Sequence, residues 1–391
     1  MHVVALEARQ VRIPLYRAIQ HATQFRTESD NLVVRCQLSD GTVGWGEGVP
    51  RDYVTGETID TCFDLLQRSD LGSQFESCDS FERAAAVAER LRLAPVPGDD
   101  RGCQGNAARC AVELAVLDAY GRALGEPLMN VTRLLTPKLY APRPEVRYGA
   151  AITKARRWKA RVYPLVIRLL GFTQLKVKVG IPGVDDVTRT RVIRRWAGPM
   201  IDLRLDANEA WTPAEAAARI RQLEGFRITS VEQPVPHAEV ASLAEVRKQV
   251  STPIMLDESL CSMTDAERAA AGGWCDLFNL RLSKCGGFIP TLRLAEFAAA
   301  NGLGCQLGCQ VGETGILSAA GRHFATSVGG LKYLEGSYDR HLVRNWLTAE
   351  DITFARGGVA PALVGVGLGV TVDTDKVDAA TVRREVLFGG A

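Results

Sequence analysis

Lys178, Asp206, Glu232, Asp257 and Lys284 lie 28, 26, 25 and 27 positions apart, and each falls at the end of an apolar run: LKVK, IDLRLD, ITSVE, PIMLD and LFNLRLSK. One strand, one helix and their two turns fill an interval of that length. The spacing predicts five residues at one height on successive strands of a parallel sheet. Their order around that sheet is Lys, Asp, Glu, Asp, Lys. Three carboxylates meeting in a pocket repel one another unless a cation holds them. All three offer oxygen, with no His or Cys among them, so the ion expected is hard, Mg²⁺ or Mn²⁺. Such an ion can make the proton α to a substrate carboxylate removable, because it stabilises the enediolate that results. The lysines on the two flanks, Lys178 and Lys284, are then the expected acid/base pair.

The run LKVKVG adds Lys176 on the same strand face as Lys178. A free lysine, with a pKa of about 10.4, is protonated at neutral pH. A neighbouring ammonium disfavours the charged form, so Lys176 is expected to make Lys178 basic in practice. Asn208 and Glu258 each stand beside an expected ligand and are read as its partners. Glu313 follows the seventh apolar run, where it is either part of the site or a helix cap. A lone Asp after a strand is ordinarily an N-cap. Five charges on five consecutive units, in a sign order that assembles one site, are not explained that way.

The elements that must position these residues are legible from about residue 147. Short apolar runs alternate with helical patterns about eight times over roughly 200 residues, which implies a parallel sheet covered on both faces and matches a (β/α)₈ barrel. The rival is a doubly wound open sheet, but no G-x-G-x-x-G follows the first strand. Before the barrel, VVALEARQVRIPL and NLVVRCQLSDGTVGWGEG read as strands with Asp40-Gly41 as a hairpin turn. SFERAAAVAERLR and NAARCAVELAVLDAYGRALG read as helices. The class expected is α/β: a barrel over 141–351 and an α+β capping domain over 1–140, completed by 352–391. The glycine-rich tail is expected to return to the first domain, because a closed barrel has no free edge.

Composition bounds the rest. The chain has 391 residues, 46% apolar and 24% charged, with a net charge of +2. These values suit a two-domain globular protein and give no footing for a nucleic-acid or membrane partner. The basic stretch KARRWKAR (154–161) reads as a solvated helix face. Ten scattered cysteines without a C-x-x-C pair suit reduced thiols in the cytoplasm. No signal-peptide core or membrane-length apolar run is present.

The motifs LKVKVG, LDANEAW, VEQPV, LDES and NLRLSKCGG, with GWGEG, AVELAVLDAYGRALGEPL and GVGLGV outside the barrel, resemble the enolase superfamily, and within it the muconate-lactonising (muconate cycloisomerase-like) subgroup. The resemblance implies Asp206, Glu232 and Asp257 as Mg²⁺ ligands, Lys178 and Lys284 as the acid/base pair and Lys176 as helper. It implies a small carboxylate substrate and a homo-oligomer. It also implies that loops near 16–30 and 50–57 choose the substrate, with His21, Phe25, Arg26, Arg51 and Tyr53 as candidates. Dipeptide epimerases of this subgroup carry an Asp-x-Asp on the eighth strand for the substrate's ammonium. This chain has YLEGSYDRHL there, with Glu335 as the available substitute. The reaction expected is racemisation, epimerisation or cycloisomerisation. One alternative is a syn-dehydratase similar to o-succinylbenzoate synthase. A barrel kept for structure or binding is the other, and the intact lysines and carboxylates oppose it.

Overall fold

Asp40 and Gly41 turn the chain between two antiparallel strands, as their residue types dictate. A computed structural model describes residues 1–20, 25–153 and 159–389. Strands β1 (Val3–Gln20), β2 (Phe25–Leu38) and β3 (Val43–Gly48) form a meander. The one-turn helix α1 (Asp52–Thr55) and the long helix α2 (Asn106–Leu124) follow. Between them, the helix Phe81–Arg90 starts on Ser80, whose side chain accepts from the Arg83 N–H as the sequence predicts.

The GWGEG motif has a packing reason. Gly44, Gly46 and Gly48 share one face of β3. A Cβ at Gly44, Gly46 or Gly48 would strike the backbone of Ala119, Ala111 or Ala107 respectively. Those alanines recur every four or eight residues on one face of α2. Bare backbone on both sides lets the helix lie directly on the sheet.

After β4 (Glu145–Arg147) come eight parallel strands: β5 (Ala150–Ile152), β6 (Gln174–Lys178), β7 (Asp202–Asp206), β8 (Ile228–Glu232), β9 (Ile254–Leu256), β10 (Leu277–Leu280), β11 (Gly304–Leu307) and β12 (Leu331–Leu334). They pair in chain order. The Gly149 N–H donates to the Leu334 carbonyl at 2.8 Å and draws the first and last strands together. Helices separate successive strands, among them α3 (Phe288–Ala300) and α4 (Gly315–Ser327). This is the curled sheet of a (β/α)₈ barrel, not an open doubly wound one. The tail pairs twice: β13 (Val359–Pro361) with β4, and β14 (Thr381–Phe388) with the free side of β1. Among the described residues no helix is long and apolar enough to cross a membrane.

Two buried carboxylates of the N-terminal half start helices of the barrel. Glu47, on β3, accepts from Thr314 N–H (3.1 Å), Thr314 Oγ1 (2.8 Å) and Leu317 N–H (2.9 Å) at the start of α4. Glu113, on α2, accepts from Phe288 N–H (2.5 Å) and Ile289 N–H (3.3 Å) at the start of α3. Within the N-terminal half, Glu57 does the same for α2 through Ala107 N–H (3.0 Å). The first N–H groups of a helix lack intrahelical acceptors, so these contacts satisfy groups that would otherwise be buried and unpaired.

Burial pushes all three carboxyls up to about 7 from an ordinary 4.5, against the pull of their hydrogen bonds. The folded chain therefore keeps protons that the unfolded chain has already lost. Their contribution is complete below the unfolded value and is lost as pH rises toward the folded one. Raising the pH from about 5 to 8 is expected to lower the urea midpoint, with a smaller fall in Glu47→Gln. A wild-type midpoint that stays level over that range would contradict it.

Candidate active site

Lys178, Asp206 and Glu232 are the last residues of β6, β7 and β8. Their Cα atoms are in register, Lys178 with Asp206 and Asp206 with Glu232, which is the equal height that the spacing predicts. Asp257 follows β9 directly. All three acids are buried, at 1% exposure or less. The chain turns sharply behind them through left-handed backbone at Asn208 (φ +42°), Glu209 (φ +67°) and Gln233 (φ +38°). None of these is glycine, and such strain persists only where surrounding contacts hold it. Asn208 donates its N–H to Asp206 Oδ1 (3.1 Å) and its amide to Glu258 Oε1 (3.3 Å). The Gln233 side chain accepts from the N–H groups of Asp257 (3.0 Å) and Ser259 (3.2 Å) and donates to Ser259 Oγ (2.6 Å). It thereby fixes the loop that carries Asp257.

Cations knit the acids together. Lys176 Nζ lies 3.3 Å from Asp206 Oδ2, 3.5 Å from Glu232 Oε2 and 2.7 Å from Glu335 Oε2. Burial opposes its charge, but Glu232, Glu335 and Asp206 outweigh burial and hold it protonated. Arg281 bridges the next pair: Nη2 is bonded to Asp257 Oδ2 and lies 3.7 Å from Glu232 Oε1. Burial pushes the Asp257 carboxyl up, and Arg281 and Lys284 overcome it and hold it ionised. Asn279 donates to Glu232 Oε1 at 2.9 Å. Lys178 stands apart. Its side chain is half-buried and makes no hydrogen bond or ion pair among the described residues.

The donor set suits a hard divalent cation: three carboxylates on adjacent strands, each sharing a cation with its neighbour. Among the described residues, no three His, Cys, Asp or Glu side chains already stand close enough to close on one ion. Lys176 and Arg281 carry the positive charge that the acids meet.

Strand β10 ends at Leu280, and Lys284 lies in the turn beyond it. Its ammonium donates to the Asp257 carbonyl (2.7 Å), Asp257 Oδ1 (2.9 Å) and the Asn279 carbonyl (2.8 Å). An ammonium has three hydrogens, so all are used, and the side chain is fully buried. Lys284 is thereby tied to Asp257, the acid it is expected to flank. The group at the strand end is Arg281, which sequence reasoning missed because FNLRLSK was taken as one continuous strand. Counting the separation from Asp257 to Arg281, 24 positions against 27 to Lys284, would have raised the question.

Glu335 is held between two cations. Its oxygens meet Lys176 (2.7 Å) and Arg204 Nη1 (3.0 Å), and the Arg204 guanidinium lies 4.5 Å over the Tyr333 ring. Glu313 accepts the Gln310 N–H (2.5 Å), and burial pushes its carboxyl up to about 8. Gln310 in turn accepts from Arg281 Nη1 (3.2 Å).

Of the loop candidates, Arg51 is buried and donates to the Pro50 carbonyl (2.7 Å), Ser29 Oγ (2.9 Å) and the Val311 carbonyl. It fastens the N-terminal half to the loop after β11. Arg26 lies 3.3 Å from Asp52 and 5.7 Å over the Tyr53 ring. Phe25 opens β2. His21 lies outside the described residues, as does 154–158 of the basic stretch. All ten cysteines are free.

An eight-stranded parallel barrel with acids and cations gathered at its strand C-termini defines a barrel enzyme built for acid–base work at a carboxylate-lined site. The chain belongs to the enolase superfamily: the family model described as "Enolase C-terminal domain-like" matches residues 161–376. It is 30% identical to a hydrophobic dipeptide epimerase of Enterococcus faecalis, over 84% of this chain and 88% of that one. It is 28% identical to muconate cycloisomerase 1 of Rhodococcus opacus, over 96% and 98%. Among solved structures it resembles the dipeptide epimerase of Cytophaga hutchinsonii complexed with Mg and D-Ala-L-Val, at 25% identity and TM-score 0.84, over 99% and 100%. These relatives are isomerases.

Proposed function

We propose that this chain is a Mg²⁺-dependent enzyme that removes the proton α to the carboxylate of a small acid, giving an enediolate on the way to an isomerised product. The observation that carries this reading is the amine of Lys178 at the end of β6, without a hydrogen bond or ion pair among the described residues, beside acids that other cations already neutralise. Lys178 is the base. Asp206, Glu232 and Asp257 hold Mg²⁺, with Mn²⁺ as the alternative occupant. The ion, when bound, supplies the positive charge that makes a carboxylate's α-proton acidic enough to remove. Lys176 keeps Asp206 and Glu232 in place and adds a fixed positive charge one step below Lys178. The relatives support racemisation, epimerisation or cycloisomerisation as the outcome. The commitment of Glu335 to Lys176 and Arg204 supports a substrate without an ammonium to be bound at the eighth strand. A homo-oligomer in the cytoplasm, with no nucleic-acid or membrane partner, completes the proposal. Its capping domain is taken as 1–140 with 352–391.

The test is incubation in D₂O with MgCl₂ and libraries of N-acylamino acids, dipeptides and unsaturated dicarboxylates, followed by NMR, with calorimetric titration of Mg²⁺ into the same protein. Exchange of an α-proton and measurable Mg²⁺ binding are expected. Neither exchange nor binding would end the proposal.

A further inference from the structure

Cys103 belongs to the N-terminal half and Cys261 to the loop after β9, 261−103=158 positions further on, yet the fold brings them together. Both are buried, and with Val54 they form a small cluster apart from the main core, against which Tyr53 packs. Cys261 Sγ lies 3.9 Å from the Val54 carbonyl and Cys103 Sγ 3.9 Å from the Thr55 carbonyl, so the two sulfurs face adjacent peptide units of α1. They stand within hydrogen-bonding reach of each other. A cleft of about 270 Å³ between the starts of α2 and α3 leads to one of them: Cys261 and Cys285 are the thiols in its wall, beside Arg109 and Arg293. Burial pushes the Cys261 thiol up, but Cys103, Lys284 and Arg101 overcome it and hold it below its ordinary value. Burial pushes Cys285, in the same wall, up to about 11. The thiolate is the reactive form of cysteine, so access and ionisation single out the same sulfur.

We propose that Cys103 and Cys261 are a peroxide-reactive thiol pair: Cys261 takes the oxidant, Cys103 resolves the product, and the disulfide so formed pins the N-terminal half to the barrel. The substrate class is a small hydroperoxide, of which hydrogen peroxide is the simplest. Cys261 Sγ attacks one peroxide oxygen and the O–O bond breaks. The bond's electron pair leaves with the other oxygen, which takes the thiol proton and departs as water. Cys261 is left as a sulfenic acid. Cys103 Sγ then attacks the Cys261 sulfur, the S–O bond breaks, and the hydroxide takes the Cys103 proton to leave as a second water. Two electrons have passed from the two sulfurs to one peroxide, and a thiol reductant returns them by exchange. In a reducing compartment such a pair stands open until oxidant arrives. Neither Lys178 nor the acids at the strand ends take part, so this chemistry stands apart from the reaction proposed above.

The test uses the full chain, reduced, desalted and exposed to a modest molar excess of hydrogen peroxide. N-ethylmaleimide then blocks the remaining thiols, and peptides are mapped by mass spectrometry without reduction. A Cys103–Cys261 cross-link is expected as the predominant disulfide, and dithiothreitol should return both peptides to the free form. The oxidised protein should unfold at a higher temperature than the reduced one, because the bond closes a long loop of chain. Cys103→Ser should stop at the sulfenic acid, trapped on Cys261 by dimedone. Cys261→Ser should leave Cys103 unlabelled and lose thiols at least about tenfold more slowly than the wild type. A map of the folded wild type without the cross-link would overturn the pair, with no variant needed. Dimedone on Cys103 or Cys285 in preference to Cys261 would overturn the choice of attacking thiol. An unfolding temperature that stays level or falls on oxidation would overturn the pin between the halves.

Discussion

Lys178→Ala is expected to slow α-proton exchange by about 10³-fold or more, the upper part of the range for a lost general base. Its thermal midpoint should stay near that of the wild type. The two halves of this expectation come from one observation: Lys178 has no hydrogen bond or ion pair to lose among the described residues. A side chain without such contacts can be removed cheaply, and Lys178 is also the amine proposed to accept the proton. Lys178→Arg restores the charge and not the acceptor, so it should exchange as poorly as the alanine variant. Measuring exchange and thermal unfolding on one preparation separates the roles. A large fall in stability with modest loss of exchange would make Lys178 structural.

Lys284→Met should add a loss of stability to a loss of exchange. Removing one partner of a buried ion pair costs about 3–5 kcal/mol, because the other charge stays behind without compensation. Here Asp257 would keep Arg281 on one oxygen and lose Lys284 on the other, and the carbonyls of Asp257 and Asn279 would each lose a donor. Urea unfolding of the metal-free protein should register the whole cost. Exchange measured well below the new midpoint should fall as well, because Lys284 is the expected partner of Lys178 in the acid/base pair. A Lys284→Met protein as stable as wild type would overturn the structural cost assigned to its contacts with Asp257.

The contrast between these lysines shows how far the amino-acid pattern reaches. The barrel was legible because its strands are buried on both faces and recur at a nearly constant interval, two features that pairing imposes directly on residue types. The heights of Lys178, Asp206 and Glu232 were legible for the same reason, since a parallel register with short turns leaves little freedom. The end of β10 was not legible, because apolar residues flank Lys284 whether the strand ends at Leu280 or continues. Periodicity does not mark where a four-residue strand stops and a turn begins. Arg281 went unnoticed because an arginine at a strand end reads as solvated. Only its neighbours, Asp257 and Glu232, reveal it as buried. Glu335 carried no sign of Arg204, which arrives from a strand far away in sequence. Arg51 looked like a loop residue because its acceptors, two backbone carbonyls and a serine, leave no trace in composition.

Helices α3 and α4 begin on carboxylates that belong to the other half of the chain. A helix start carries roughly half a unit of positive charge, so each junction is an electrostatic plug as well as a hydrogen bond. Severing the chain between the halves would uncap two barrel helices and strand two acids at once. Neither fragment should therefore be recoverable as a well-ordered species. Chimeras that graft a foreign lid onto this barrel should succeed only when the donor brings acids at the places of Glu47 and Glu113. Such a hinge-free joint leaves evolution free to rewrite the tips of the lid while its footing stays pinned.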